Sequence, residues 1–318
     1  MSELQVAVIG SGAMGNVHAA RWSEVSGARI AAICDEDTSA AMQAAGKYGA
    51  EAHTDWRSVV GSREIDIVDI CTPPSLHSEI ALRAIDHRKH VLCEKPLARN
   101  AAEARTIVEK AEEAGVRLMT AFCHRFHPPV LFAKDLIEND DLGRIIMFRS
   151  RFSGLSSATD ESWVSDKEIS GGGAMLDLAV HSIDLFRYLA GEVASATGKL
   201  ATYNPKLKVE DSAALVLKSE SGALGVVEAS WATPGGRNII ELYGTAGACY
   251  VDYDSHNVRY RTADMSVWET REISGPDGYQ REILQFADAV RGLQPLECTG
   301  FDGLRANEIV EDIYSQNA

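Results

Sequence analysis

The chain has 318 residues, 45% hydrophobic and 24% charged, which is ordinary for a globular protein and long enough for two domains. Its formal net charge of −15 repels phosphate backbones and argues against nucleic acid as a partner. No apolar run approaches membrane-spanning length, and MSELQVAVIGSG lacks the basic, apolar and small-residue layout of a secretory signal, so the expectation is a cytoplasmic protein with no membrane association.

In chain order, LQVAVI (4–9) reads as a strand, GSGAMG (10–15) as a turn, and the stretch to about Val25 as a helix. ARIAAIC (28–34), IDIVDIC (65–71), KHVLC (89–93) and VRLMTAF (116–122) read as further strands, with helices near 38–47, 76–87 and 100–114. Uninterrupted apolar strands alternating with helices predict a doubly wound parallel sheet covered on both faces. After His124 the rhythm breaks at HRFHPPV. A helix is predicted at 129–139, a strand at 143–154, and a helix at 174–190 behind three glycines. Short turn-separated strands follow at 194–202, 212–219, 223–231, 238–243 and 248–253, then helices at 280–292 and 301–316. The pattern predicts an α/β protein: an amino-terminal dinucleotide-type Rossmann domain over 1–123, and an α+β domain over 124–318 with a large, mostly antiparallel open sheet.

None of the six cysteines forms a C-x-x-C pair or a zinc-like spacing with histidine, so they read as small strand hydrophobes in a reduced protein, and no metal is expected. GSGAMG fits G-x-G-x-x-G between a strand and a helix, the context that gives the motif meaning. Gly10 serves the tight turn, Gly12 the approach of a pyrophosphate, and Gly15 close packing of helix on strand. Ser11, Ala13 and Met14 complete the cradle, whose helix N–H groups favour phosphate. Asp35 stands twenty residues after Gly15, where an acid meets ribose hydroxyls. Glu36 and Asp37 follow with no cation beside them, so a 2′-phosphate would face three carboxylates; NAD is favoured over NADP.

Asp177, His181 and Asp184 interrupt the apolar helix at i, i+4 and i+7, one face at 100° per residue. That stripe is either a solvated or satisfied polar face or a site. Taken with CTPPSLH (71–77), EKP (94–96) and HRFHP (124–128), GGGAMLDLAVHSIDLF (171–186) resembles the Gfo/Idh/MocA oxidoreductases from the first strand to the last helix. The resemblance implies pyridine-nucleotide oxidation of a secondary alcohol on a sugar or cyclitol, and a sheet that serves in homo-oligomer contacts, a dimer or a tetramer. It places Thr72, Pro73 and His77 along the cofactor, Glu94 and Lys95 near the nicotinamide, and Lys95, Asp177 and His181 at the substrate. It also suggests a cis bond before Pro96. Members often carry Trp-Arg before the glycine run; here Trp163-Val164 stands there, which leaves Trp163 as a cofactor candidate and argues for a neutral substrate. His124 replaces an Asn common in the family.

On this reading His181, with its near-neutral pKa, and Lys95 are alternative or coupled bases, and Asp177 orients the imidazole. Arg125, at the domain junction, is a substrate-binding candidate. Asp184 reads as a structural hydrogen-bonding group, His18 as packing, His53, His87, His90 and His256 as surface or satisfied residues, and Trp231 and Tyr243 as sheet residues. Specificity is expected from the 150–165 segment, the 231–237 loop and a neighbouring subunit. The alternatives are an NAD-using glycosidase that oxidises its sugar transiently, and a non-catalytic nucleotide-binding sensor.

Overall fold

The computed structural model describes residues 3–156 and 162–318. They form two compact units, Met1–Cys123 with Tyr279–Asn307, and His124–Gly278 with Glu308–Ala318.

In the first unit, strands β1 Leu4–Ile9, β2 Ala28–Cys34, β3 Glu51–His53, β4 Ile67–Ile70, β5 His90–Glu94 and β6 Leu118–Ala121 pair in parallel in the order β3-β2-β1-β4-β5-β6. Helices α1 Ala13–Trp22, α2 Thr38–Tyr48, α3 Trp56–Val60, α4 Pro74–Asp86 and α5 Ala101–Ala114 connect them. Val6, Val8, Ile67, Val68, Val91 and Leu92 are fully buried, which explains why these strands are apolar without alternation. The strand order turns back between β1 and β4, so the loops following them open a crevice at their carboxyl ends. The sequence reading lacked β3 and α3. β3 is three residues long, two of them exposed, and has no apolar run to betray it.

The second unit holds α6 Pro128–Glu138, α7 Lys167–Ser170, α8 Val180–Ala190 and eight strands: β7 Ile145–Ser153, β8 Val193–Ala201, β9 Ser212–Ser219, β10 Leu224–Ser230, β11 Asn238–Gly244, β12 Ala248–Asp252, β13 Asn257–Arg261 and β14 Glu269–Glu272. Their order is β14-β13-β12-β11-β7-β10-β9-β8, antiparallel except where β7 and β10 run parallel. On β9, Ala213, Leu215 and Leu217 are buried while Ala214, Val216 and Lys218 are exposed, the alternation of a sheet with one covered face. Helix α8 lies on the covered face. Phe186 meets Phe148 edge-on at 5.5 Å, and the Ser182 and Ser150 hydroxyls hydrogen-bond at 2.7 Å. Gly225 leaves room for Phe186, whose ring would lie 2.8 Å from a Cβ there.

Residues 279–307 correct the expected 124–318 domain. Helix α9 (Gly278–Val290) and the first part of α10 (Gly300–Ser315) belong to the first unit. Phe286 packs edge-on against Trp22 at 6.5 Å, Leu304 joins the core, and Asn307 donates to the Ala98 carbonyl at 2.7 Å. An amphipathic pattern says that a helix needs an apolar partner; it does not say which sheet provides one. Among the described residues, no helix is long and apolar enough to cross a membrane.

Candidate active site

The glycine loop of the first unit shows why each glycine is there. Gly10 has φ +98°, in the left-handed region that favours glycine, and a Cβ on it would lie 2.6 Å from the Cys71 carbonyl oxygen. A Cβ on Gly15 would lie 1.8 Å from the Gly10 oxygen, so α1 can rise directly from the loop only without one. Around Gly12 the space is open, with no described atom within 4 Å of a Cβ position. Among the described residues no side chain caps α1, which leaves its first-turn N–H groups, at Ala13 and Met14, to suit an anion. Asp35, at the end of β2, accepts from the Ser11 N–H at 2.6 Å, the Ser11 hydroxyl at 2.9 Å and the Asp37 N–H at 3.0 Å. The expected trio of acids facing a 2′-phosphate narrows, because the Asp37 carboxylate caps α2 through the Ser39 and Ala40 N–H groups. Asp35 and exposed Glu36 remain.

After β4, Thr72 Oγ1 is buried with no partner among the described residues, a polar atom that suits a ligand. Pro73 precedes α4 and Pro74 opens it. His77 is fully buried, with Nδ1 2.8 Å from the Pro96 carbonyl and Nε2 2.8 Å from the Thr72 carbonyl, so its ring ties the Thr72 loop to the Pro96 loop. Burial lowers its pKa. The Lys95–Pro96 peptide is cis. Glu94 is buried, and Lys95, half-buried, donates its main-chain N–H to Glu94 Oε2 at 3.0 Å. Burial would raise the Glu94 pKa; His18 and Lys95 outweigh it and hold it below the ordinary value. His18, read as packing, instead sits between two acids, Asp69 and Glu94. The signal that could have exposed this is the acid inside the apolar strand IDIVDIC.

The fitted features of this unit (an open helix terminus, an orphan hydroxyl and an acid at the end of β2) suit a dinucleotide.

In the second unit, the 174–190 stretch is not one regular helix. Met175–Ala179 forms a wider turn in which the Val180 N–H bonds back to the Met175 carbonyl, i→i+5, before α8 starts. The 100° stripe therefore does not run unbroken from Asp177 to His181. The glycines ahead of it have a packing reason. A Cβ on Gly172 would lie 1.9 Å from the Tyr314 hydroxyl, and one on Gly173 would lie 1.8 Å from the Glu210 carbonyl oxygen. Glu210 Oε1 then accepts the Gly173 and Met175 N–H groups at 2.9 and 3.1 Å, setting the turn that carries Asp177.

Asp177 accepts the Trp231 indole N–H at 3.0 Å, so Trp231 is more than the sheet residue expected. His181, in the first turn of α8, is buried against the His124 ring, 4.3 Å between centroids. His124 also touches Phe152 and Tyr253, and Tyr253 leads on to His127 and His256. His256, expected as a surface or satisfied residue, stacks on His127 at the end of this aromatic row. Arg125, expected at the substrate, grips Asp184: its Nε donates to Asp184 Oδ2 at 2.7 Å and its NH2 to Oδ1 at 2.5 Å, with both side chains buried. A guanidinium gripped at two points pins the Cys123–Phe126 turn, which carries His124, to α8. Trp163 is half exposed on a short turn, Trp163–Ser165. A cavity of about 310 Å³ lies beside Trp231, with Leu155, Tyr203, Leu207, Asn204 and Asp211 in its walls. Of the 150–165 segment expected to set specificity, 157–161 lie outside the described residues.

Comparison with known proteins follows the same division. Residues 4–122 match the family model described as oxidoreductase family, NAD-binding Rossmann fold, and residues 130–250 match the GFO/IDH/MocA C-terminal domain. Levoglucosan dehydrogenase of Pseudarthrobacter phenanthrenivorans is 33% identical over 291 residues, 80% of this chain and 75% of that protein. Myo-inositol 2-dehydrogenase of Thermotoga maritima is 29% identical over 319 residues, 95% of this chain and 93% of that protein. A solved structure of levoglucosan dehydrogenase with NADH and levoglucosan superposes with a TM-score of 0.92 at 28% identity, covering 98% of this chain and 96% of that one.

Proposed function

The chain belongs to the Gfo/Idh/MocA family of NAD-binding oxidoreductases, and from that premise we propose that it is an NAD-dependent dehydrogenase of a neutral sugar or cyclitol, oxidising one secondary alcohol. The observation that carries the NAD preference is the acid at the end of β2: Asp35, locked onto Ser11, offers a carboxylate where a ribose hydroxyl donates and a 2′-phosphate is repelled. Levoglucosan and myo-inositol, named for the relatives, are uncharged polyols, and Val164 stands where an anion-binding Arg is common.

When bound, the nicotinamide supplies the hydride acceptor. The chain supplies the rest. His181 takes the hydroxyl proton at its imidazole, and Asp177, oriented by the Trp231 indole, favours the imidazolium that results. Lys95, on the first unit, is the alternative base, able to hydrogen-bond a substrate hydroxyl and to stabilise the alkoxide-like charge on oxygen. Met147, Val216 and Leu224 leave the sheet's second face partly apolar and exposed, which supports a homo-oligomer; sedimentation tests that.

The deciding experiment follows nicotinamide absorbance with NAD and NADP in parallel across free sugars and cyclitols. NADH formation with one polyol class, lost in Lys95→Ala while NADH binding persists, supports the reading. Full turnover in Lys95→Ala overturns the mechanism. Aglycone release from glycosides without NADH favours transient oxidation, and nucleotide binding with no reaction favours a sensor.

A further inference from the structure

We propose that His18 is an imidazolium that positions Lys95 through Glu94, joining the helix of the glycine loop to the Glu94-Lys95-Pro96 turn; the inference rests on the reading of Lys95 as a catalytic group. His18 lies in α1 and is completely buried. Its Nδ1 is 3.0 and 2.9 Å from the two oxygens of Asp69 on β4, and its Nε2 is 3.1 Å from Oε1 of Glu94 at the end of β5. A neutral imidazole has one N–H and one lone pair. With a carboxylate on each nitrogen, that lone pair would face an anion where no water screens the repulsion. Two acceptors call for two donors, and only imidazolium has both. The other hydrogen bonds agree. The Trp22 indole N–H donates to Asp69 at 2.7 Å, and the Lys95 N–H donates to Glu94 at 3.0 Å, so both acids act as acceptors.

The groups around this cluster come from every packed element. Helix α9 brings Tyr279, whose ring lies 6.2 Å from that of His18, and the buried carboxyl of Glu282. The strand ends bring the thiols of Cys71, Cys93 and Cys123, each pushed up by burial, and the neighbouring Cys123 with burial pushes Tyr279 up too, so these groups stay neutral. The acids of the cluster are Asp69, Glu94 and Glu282; the cations are His18 and, half-buried, Lys95. Burial alone would lower the His18 pKa, but the Asp69 carboxylate holds it well above the ordinary value.

The consequence lies at Lys95. An ionised, immobile Glu94 accepts the Lys95 main-chain N–H directly before the cis peptide. Without the imidazolium, two buried carboxylates lose their shared partner. One must take up a proton or swing away, and the Lys95 backbone loses its anchor.

Three readouts test this. In substrate-free protein labelled with ¹⁵N-histidine, both ring nitrogens of His18 are expected to be protonated at pH 7, where a free imidazole is mostly neutral. A neutral ring at pH 7, with the proton on Glu94, overturns the proposal. In the nucleotide-bound enzyme, His18→Gln should lower kcat about 10- to 100-fold while the NADH dissociation constant stays within about threefold. Lost thermal stability with kcat unchanged would mean a structural role only and overturns the proposal. Asp69→Asn, which keeps shape and one carboxylate, should give kcat a new decline at alkaline pH that the parent lacks; an unchanged profile counts against the proposal and stands as the test should His18→Gln fail to fold. Where no polyol is turned over, the reading of Lys95 falls. The histidine spectrum still decides the charge, and reductive methylation of the Lys95 amine decides positioning: a rate equal in the parent and Asp69→Asn refutes it.

Discussion

Replacing Arg125 with alanine should cost more than the contact it removes, because of what it leaves behind. The guanidinium makes two parallel hydrogen bonds to Asp184, and the two side chains are 6% and 1% exposed. Alanine would take the guanidinium away from a carboxylate that is only 1% exposed. Breaking a buried pair by deleting one partner costs about 3–5 kcal/mol, although the intact pair gains little over a well-packed apolar one. The guanidinium also sits 5.1 Å from the Tyr188 ring centre, a contact worth about 0.5–1 kcal/mol. For a domain of this size each kcal/mol moves Tm by about 2–4 °C. The second unit should therefore melt about 7–24 °C lower in Arg125→Ala. Calorimetry, with urea titration to confirm an unchanged slope, measures this. Arg125→Met combined with Asp184→Leu should recover most of the loss, since no lone charge remains. A single variant that loses under about 1 kcal/mol, or a double variant as unstable as the single, would refute the pinning role. It would also favour Arg125 as a substrate ligand.

Gly12→Ala and Gly15→Ala should separate binding from folding. The first meets open space, so Tm should hold while NADH affinity falls about tenfold or more; the second drives a methyl into the Gly10 carbonyl, and both should fall, as read by fluorescence titration and melting. Trp231→Phe keeps the apolar wall but removes the donor to Asp177, so kcat/KM should drop about tenfold with a stability loss of about 0.5–1.5 kcal/mol; unchanged kinetics would remove Asp177 orientation from the mechanism. Burial, then the neighbouring His256, lowers the His127 pKa to about 4 from 6.5. Between those values the unfolded chain binds a proton that the folded chain does not, so stability rises with pH across that window, and His127→Gln should flatten the rise in urea midpoints. His18 has the opposite sign. Its raised pKa contributes stability in full below about pH 6.5, and this is lost as pH climbs through the higher folded value, a decline that His18→Gln should abolish.

The doubly wound sheet was readable because strands buried on both faces leave uninterrupted apolar runs, and Gly10, Gly12 and Gly15 announce their loop by position. Strands β13 and β14 were not readable: NVRYR and ETRE are short and mostly polar, and pairing supplies the order that their side chains do not. Asp177, His181 and Asp184 stood out as polar residues in an apolar helix, yet helical spacing made them one face. The i→i+5 turn at Met175 breaks that face, and periodicity cannot reveal it because the bond depends on Glu210, far along the chain. Trp231 and His18 were missed for the same reason. A residue's partner across tens of positions leaves no local trace, and an indole or imidazole in an apolar setting resembles packing until the acid beside it is seen.

The discontinuity of the first unit bears on how the chain is made. Leu118 and Trp22 are synthesised well before Phe286, Leu304 and Asn307, which complete their surroundings. Ala98 and Asn307 are 209 positions apart. At ribosomal rates of several residues per second, the early strands wait about 10–40 s with an apolar flank uncovered. Helix α10 serves both units, Leu304 in the core of the first and Tyr314, bonded to Glu210, in the second, so its emergence from the ribosome advances both at once. Contacts of such long range fold slowly, and a nascent chain of this design is a natural client for chaperones until helix α10 emerges.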